Sequence, residues 1–456
     1  MLRIDLADVA RWTGGRLDGR NVPVDSVSTD TRTLVAGALF VALRGERHDA
    51  HAFAGNARAA GANALLVDHA VAVDLPQVVV ADTLLALAEL AREVAQRHDA
   101  CVVGITGSNG KTTVKSLVAS ILSRHGRTHV NSGSFNNEIG LPLTVLAMPG
   151  DSEYAVLEMG AGKPGDIEYL ARIARPRVGL VNNVAAAHLE RMGDLDTIAA
   201  TKGMLYAMLV DDGVAVVNAD DAYAGYFSGL AGTRRIVRFG FGDAVDVGAR
   251  LDEAAAPGSF VLVTALGETA VRLALPGRHN IGNALAAAAV AYALDVPLAT
   301  IKAGLEAATP VPGRNVRMAH ASGATVIDDS YNANPGSFAA AVATLAGEPG
   351  TRILVVGDML ELGAEGERLH AELGALARAR GIERLHAVGA LSRAAAEAFG
   401  AGGRHHADQQ ALVEALRGEL GRGVTTLIKG SHGSAMDRVV RALFADGDTA
   451  GGRHAA

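Results

Sequence analysis

The segment CVVGITGSNGKTT, residues 101–113, constrains this chain more than any other. An apolar run, CVVGI, leads straight into a glycine-rich turn, and a helix-forming stretch from Thr112 to Leu122 follows. That order predicts a strand, a phosphate-binding loop and a helix, the opening βα unit of a largely parallel sheet. Gly107 and Gly110 let backbone N–H groups point inward at phosphate oxygens, Lys111 supplies a point charge, and Thr112 offers a hydroxyl to a magnesium ion at the helix start. Gly107, Ser108, Asn109, Gly110, Lys111, Thr112 and Thr113 are therefore the expected nucleotide-phosphate loop. Strict spacing would put glycine at 105, where the chain has Ile105; strand before and helix after carry the match instead.

Around this unit the 456 residues divide into three α/β blocks, within the roughly two to four domains expected of such a length. Residues 1–97 hold short strand-like runs (VDSVSTDTR, GALFVALRG, ANALLVDH, QVVVAD) and a helix from Thr83 to Arg97 with Leu84, Leu87, Leu90 and Val94 on one face. Residues 98–312 alternate strands (YAVLEMG, VGLVNNV, GVAVVNA, RRIVRFG) with helices, and Asp246 to Leu275 reads as an antiparallel addition. After the prolines of TPVPGRN, residues 313–456 repeat the alternation and predict a Rossmann-like, doubly wound domain. The tail GDTAGGRHAA reads as frayed.

Composition narrows the function classes. No stretch approaches the roughly 18 apolar residues that cross a bilayer, and Ala284 to Leu294 is the longest candidate, so membrane insertion is not expected. Asp5 and Asp8 interrupt the place where an export signal would be apolar; a cytoplasmic protein is expected. Cys101, the single cysteine, excludes an intrachain disulfide and any cysteine cluster. A net charge of −7 argues against sequence-independent nucleic-acid binding. With aromatics at 4%, base recognition should rest on polar groups more than on stacking.

Other candidates gain weight jointly. Glu158, in AVLEMGAG, ends a strand of the same sheet, where its carboxylate can share a cation with Thr112; alone it would be a rim charge. His188, in AAAHLE, and Lys202, in ATKGML, lie just beyond strand ends and would otherwise be surface groups. Asn280 and Asn283 open an Ala-rich helix, either as a helix cap or as an amide for a purine. Arg314 sits at the interdomain hinge, in reach of phosphate or merely structural. Asp328 and Asp329 end a strand before an Asn-Pro turn, a site for a ribose hydroxyl.

Taken in order, TDTR (29–32), LFVALRGERHDAHAF, TGSNGKTT, FNNEIGLPLT, LEMGAGKPGDI, AHLE, TKG, HNIGN, DDSYNANP and GDMLELG resemble the Mur ligase family across all three blocks. The last two motifs resemble members that add D-Ala-D-Ala to UDP-N-acetylmuramoyl-tripeptide. Amino-acid-adding members typically carry a MEVSSH-like segment where this chain has LEMGAG, and folylpolyglutamate synthetases lack the first block. The resemblance implies an ATP-dependent amide ligase working through an acyl phosphate. A non-catalytic nucleotide switch is the reading from another class.

The resemblance further implies roles. Lys111 would hold the β and γ phosphates of ATP, Thr112 and Glu158 one Mg2+, and His188 a second. Lys202 would carry a CO2-derived carbamate beside the metal, so Lys111, Lys202 and His188 form the expected catalytic set. Asn283 would contact adenine, Asp329 the ribose and Arg314 the γ-phosphate. Ser28, Thr29, Asp30 and Arg32 would line a uridine pocket in the UDP-binding first domain, and Asn136 and Asn137 would lie on the muramoyl-peptide or ATP side of the cleft. A monomer is expected. The neighbours of Lys202 and the residues after Lys429-Gly430-Ser431 depart from the family pattern, and His432 takes no role.

Overall fold

In the computed structural model, residues 3–45, 48–133, 135–252 and 256–445 are described; the tail expected to fray lies outside them. The chain is α/β throughout, and three sheets mark three domains.

The first sheet runs in the order Arg16–Asp18, Gln77–Val79, Ala64–Val67, Ala38–Val41, Ser26–Ser28, with only the first pair antiparallel. Its helix spans Thr83–Gln96 because Asp82 caps it, accepting from the Leu84 and Leu85 amides, and Leu87, Leu90 and Val94 bury the expected face. A helix at Leu6–Thr13 has no counterpart in the sequence reading; Leu6, Val9 and Ala10 are its buried face, and Gly14, at φ +64°, ends it. Near the end of Ala64–Val67, His51 Nδ1 contacts Asp49 at 2.5 Å, the Asp68 amide donates to His51 Nε2 at 3.1 Å, and Arg44 Nη2 pairs with Asp68 at 3.2 Å. That knot ties Arg44, Asp49 and His51 to the end of the strand Ala64–Val67.

The central sheet has nine strands. From the edge they run Thr128–Val130, Tyr154–Glu158, Cys101–Thr106, Val178–Val181, Val214–Asn218, Arg235–Gly240, Val247–Arg250, Ser259–Thr264 and Gly267–Arg272. The expected antiparallel addition is the three-stranded meander from Val247 to Arg272. Val247–Arg250 joins the sheet parallel, through Phe239↔Val247 and Gly240↔Gly248, then pairs antiparallel with Ser259–Thr264, which pairs antiparallel with Gly267–Arg272. Asp246 enforces the parallel join: its amide donates to Arg238 O at 2.9 Å and its carboxylate accepts from the Arg238 amide at 2.7 Å, pinning the returning chain alongside.

Helices cover both faces of this sheet. Arg278–Ala293 packs against Lys111–Leu122, and its residues Ala284 to Ala291 are fully buried, their small side chains allowing close approach. Gly277, rather than either asparagine, caps Arg278–Ala293. The register Leu157↔Gly104, Glu158↔Ile105 and Val181↔Thr106 brings Glu158, Gly107 and Asn182 to one carboxyl edge, where ligands of such sheets bind.

The third sheet, Val316–Ala319, Thr325–Asp329, Val424–Lys429, Thr351–Gly357, Arg384–Val388, Gly403–His406, is parallel except for its first strand. Separate apolar clusters on its two faces, around Phe338 and Phe399 and around Leu412 and Val439, make it doubly wound. The Asn-Pro pair starts a helix here instead of a turn. Asn334 caps Pro335–Ala346 with a full capping box to Ser337, and proline at the first helical position needs no N–H partner. No helix of the described residues is long and apolar enough to cross a membrane.

Candidate active site

The phosphate loop is shaped by its own glycines and by asparagines from neighbouring strand ends. Gly107 takes φ +149° and Gly110 φ +79°, and a Cβ on Gly110 would collide with the Asn182 and Asn283 side chains. Asn183 Oδ1 accepts from the Asn109 amide at 2.8 Å, Asn182 Nδ2 donates to Asn109 O at 2.9 Å, and Ser108 Oγ donates to Ala185 O at 2.9 Å. Asn182 also donates to Asn283 Oδ1 at 3.0 Å, and Asn283 Nδ2 donates to Asn280 Oδ1 at 3.1 Å. Both ends of the Asn283 amide are therefore engaged by protein. Thr113 follows in the first turn of the loop helix and lines the same cleft.

Lys111 folds back over the loop, donating to Gly107 O at 2.8 Å. Burial pushes its amine below the ordinary lysine value, opposed by Glu158 and reinforced by Arg314. The next residue, Thr112, donates its hydroxyl to Glu158 Oε2 at 2.9 Å and accepts from Arg314 Nη2 at 3.1 Å. Glu158 is almost fully buried; Asn136 Nδ2 donates to its other oxygen at 2.8 Å, and Lys115 Nζ lies 3.5 Å from Oε2. A hydroxyl and an oriented carboxylate, side by side beneath a phosphate loop, are the hard oxygen donors that magnesium takes.

Lys202, in the helix Leu195–Ala207, is buried too, with no hydrogen bond or ion pair to its amine among the described residues. Burial, and secondarily Lys111, pushes that amine down to about 7. His188 stands nearby in the left-handed region, at φ +56°, with Nδ1 against the carboxylate of Glu361. Burial lowers its basicity, Glu361 raises it, and Lys111 and Lys202 lower it. Arg314 stacks its guanidinium 4.1 Å from the Tyr331 ring centroid, and its Nε is buried without a partner. Lys111, Lys202 and His188 are close enough to depress one another's basicity, with Glu158 and Glu361 as the opposing carboxylates, and Arg314 adds to the charge on Lys111. Such a site is complementary to a polyanion.

A cleft of about 560 Å³ opens between the central and C-terminal domains, lined by Asn109, Lys111, Phe241, Arg278, Asp329 and Asn334 among others. Asp329 accepts from Lys429 Nζ at 2.6 Å and from the Asn315 amide at 3.2 Å, which holds the carboxylate at the cleft wall. Arg278 lies 4.0 Å over the ring of Phe241. Despite the low aromatic content, Phe239 and Phe241 both line the cleft.

Ser28, Thr29, Asp30 and Arg32 gather at the end of the edge strand of the first sheet. Arg32 pairs with Asp30 at 2.6 Å and holds its carboxyl at about 2, and Ser28 Oγ donates to Asp30 O at 3.0 Å. Among the described residues no hydrogen bond or ion pair joins this group to the phosphate loop. The link is structural. Asn137 Oδ1 accepts from the Gly140 amide at 2.9 Å at the start of the helix Gly140–Leu146, and that helix packs on Ser26–Ser28 and Thr83–Gln96. Asn136 and Asn137 thereby sit between the metal-type carboxylate and the first domain.

Sequence reading did not single out Lys115, Asn182 or Asn183, and it met Asn334, Glu361 and Lys429 only as parts of quoted motifs without a role. One local signal existed, since Lys115 repeats Lys111 one helical turn on; the others meet their partners only through the tertiary fold.

The fold and site define a three-domain, nucleotide-dependent α/β enzyme. Residues 105–291 match the Mur ligase middle domain, 313–432 the Mur ligase glutamate ligase domain and 23–98 the catalytic domain of the Mur ligase family. The chain is 46% identical over 451 residues to the UDP-N-acetylmuramoyl-tripeptide–D-alanyl-D-alanine ligase of Escherichia coli K12, covering 98% of this chain and all of that one. The crystal structure of MurF from Acinetobacter baumannii superposes with a TM-score of 0.92 at 33% identity, covering 97% and 99% of the two chains. MurF ligase from Thermotoga maritima, solved in complex with ADP, gives 0.82 at 29%, covering 93% and 98%. The chain belongs to the Mur ligase family.

Proposed function

We propose that this chain joins D-Ala-D-Ala to the terminal carboxylate of UDP-N-acetylmuramoyl-tripeptide, using ATP and releasing ADP, phosphate and UDP-N-acetylmuramoyl-pentapeptide in cytoplasmic peptidoglycan synthesis. The observation that carries this reading is the full-length match to a ligase of that name, and the cleft lined by Lys111, Asn283, Arg314 and Asp329 supports it. The residue limits 1–97, 98–312 and 313–456 are our assignment for the three domains.

In this reading the tripeptide carboxylate attacks the γ-phosphorus, ADP leaves, and the dipeptide amine then displaces phosphate from the acyl carbon. Lys111 and Arg314 hold the phosphates, Asp329 the ribose, and Phe241 and neighbouring polar groups the base. Asn283 lines the cleft and spends one oxygen lone pair on Asn182 and one N–H on Asn280, and its second N–H and lone pair serve adenine. Thr112 and Glu158 would hold one magnesium, and His188 with a modified Lys202 a second; bound magnesium offsets charge on the transferring phosphoryl group. Ser28, Thr29, Asp30 and Arg32 bind the uridine end, while Asn136 and Asn137 connect that domain to the reaction centre.

Lys202 suits carbamate formation. A buried amine held near 7 is substantially unprotonated at neutral pH; it attacks CO2, forming an N–C bond and releasing a proton. The product turns a cation that repels metal into a carboxylate that attracts it. Docking of the C-terminal domain over the loop keeps water from the acyl phosphate.

An isotope experiment tests the chemistry. With 18O in the tripeptide carboxylate, one labelled oxygen should appear in released phosphate, and the nucleotide-linked product should gain the mass of the dipeptide less water. ATP binding without turnover under these conditions would support a nucleotide switch.

A further inference from the structure

Two residues with left-handed backbone meet where the central and C-terminal domains touch: His188 of the central domain, at φ +56°, and Glu361 of the C-terminal domain, at φ +63°. Neither is glycine, so both conformations are strained and are held by their surroundings. Their side chains touch through His188 Nδ1 and the Glu361 carboxylate, and the Glu190 amide donates to Glu361 O at 3.2 Å. Gly363, at φ +60°, packs against Glu190 and lets the GDMLELG turn lie flat on the short helix Leu189–Met192. Two elements distant in sequence are thus clamped at the residue facing Lys111 and Lys202.

A histidine that ligates a metal through one nitrogen usually donates its other N–H to a carboxylate, which fixes tautomer and ring orientation. We propose that Glu361 is the positioning residue for His188. Delivered by the C-terminal domain, its carboxylate accepts the Nδ1 proton and leaves Nε2 free for the second metal. The metal site is then complete only when the two domains are docked, and metal binding and domain docking reinforce each other. This inference rests on the reading that His188 ligates magnesium.

Mn2+ titration followed by electron paramagnetic resonance, on the full chain with ADP present, tests it without turnover. Wild type should bind one more Mn2+ than His188→Ala. Glu361→Ala should weaken that same ion about 10–100-fold, and Glu361→Gln, whose amide oxygen still accepts from Nδ1–H, should restore most of the affinity. Glu361→Gly relieves the backbone strain, so it should fold at least as stably as wild type and still lose the ion, separating positioning from folding. Unchanged Mn2+ affinity in Glu361→Ala and Glu361→Gly, with the ion lost in His188→Ala, would overturn the inference. Unchanged binding in His188→Ala would instead remove the ligand reading beneath it.

Discussion

Asn334 Nδ2 donates to Asn109 Oδ1 at 2.7 Å, tying the helix cap of the C-terminal domain directly to the phosphate loop of the central one. The same side chain caps Pro335–Ala346 through its oxygen, accepting from the Ser337 amide at 2.9 Å. One residue therefore serves local helix stability and interdomain docking at once, and the two can be separated.

Asn334→Ser keeps a good cap but is too short for Asn109; Asn334→Ala loses both. We expect Asn334→Ala to lower stability by about 1 kcal/mol, the usual worth of a cap, and Asn334→Ser to stay near wild type. Both should raise the KM for ATP. Thermal unfolding and steady-state kinetics on the pair check this.

Glu158 and Lys115 form a buried ion pair at 3.5 Å, with Lys115 also donating to Asn131 O and Gly133 O. Glu158→Gln strands a buried ammonium and should destabilise the protein by about 3–5 kcal/mol or somewhat less, given those carbonyls. Adding Lys115→Met should recover stability without recovering activity, because the metal-type carboxylate is still missing. Denaturant unfolding of the single and double variants provides the measurement.

How much of this was legible follows a physical line. The phosphate loop and the helix after Asp82 were readable because each is specified within one turn: glycine at positive φ, cap, apolar period. The antiparallel addition was readable from its alternating apolar patches, whereas its parallel seam to Arg235–Gly240 depends on Asp246 meeting Arg238. Asn283 reads locally as an amide for a base, and its contact with Asn182, 101 residues away, appears only in the fold. Asn182, Asn183 and Lys429 meet Asn109 and Asp329 only through the fold, so periodicity and local motif carry no trace of those pairings.

Lys202→Ala should abolish turnover while leaving ATP binding largely intact, and short carboxylates such as formate or acetate should restore part of the rate by occupying the vacated space. Removing CO2 from the wild type should lower its rate reversibly. Full activity in Lys202→Ala would contradict the carbamate assignment.

In the C-terminal domain His386 is stacked on His406 at 5.2 Å and contacts Glu419 at 3.1 Å. Burial is the main cause lowering both imidazoles below the ordinary value. The unfolded chain then takes up protons near pH 6.5 that the folded chain refuses. Stability should be level above that pH and fall as pH drops below it, until the folded-state values are reached. His406→Gln removes one such group while offering a donor to His386 Nδ1, so its melting temperature should fall less between pH 7.5 and 5.5 than that of wild type. Calorimetry at the two pH values decides the point.

The account's central claim is dipeptide ligation, and acceptor dependence tests it most directly. ADP formation should be measured with ATP, magnesium and UDP-N-acetylmuramoyl-tripeptide, adding in turn D-Ala-D-Ala, D-Ala, L-Lys, diaminopimelate and L-Glu. The account predicts strong stimulation by D-Ala-D-Ala and little by any single amino acid. Equal stimulation by a single amino acid, or ADP formation indifferent to every acceptor, would contradict it.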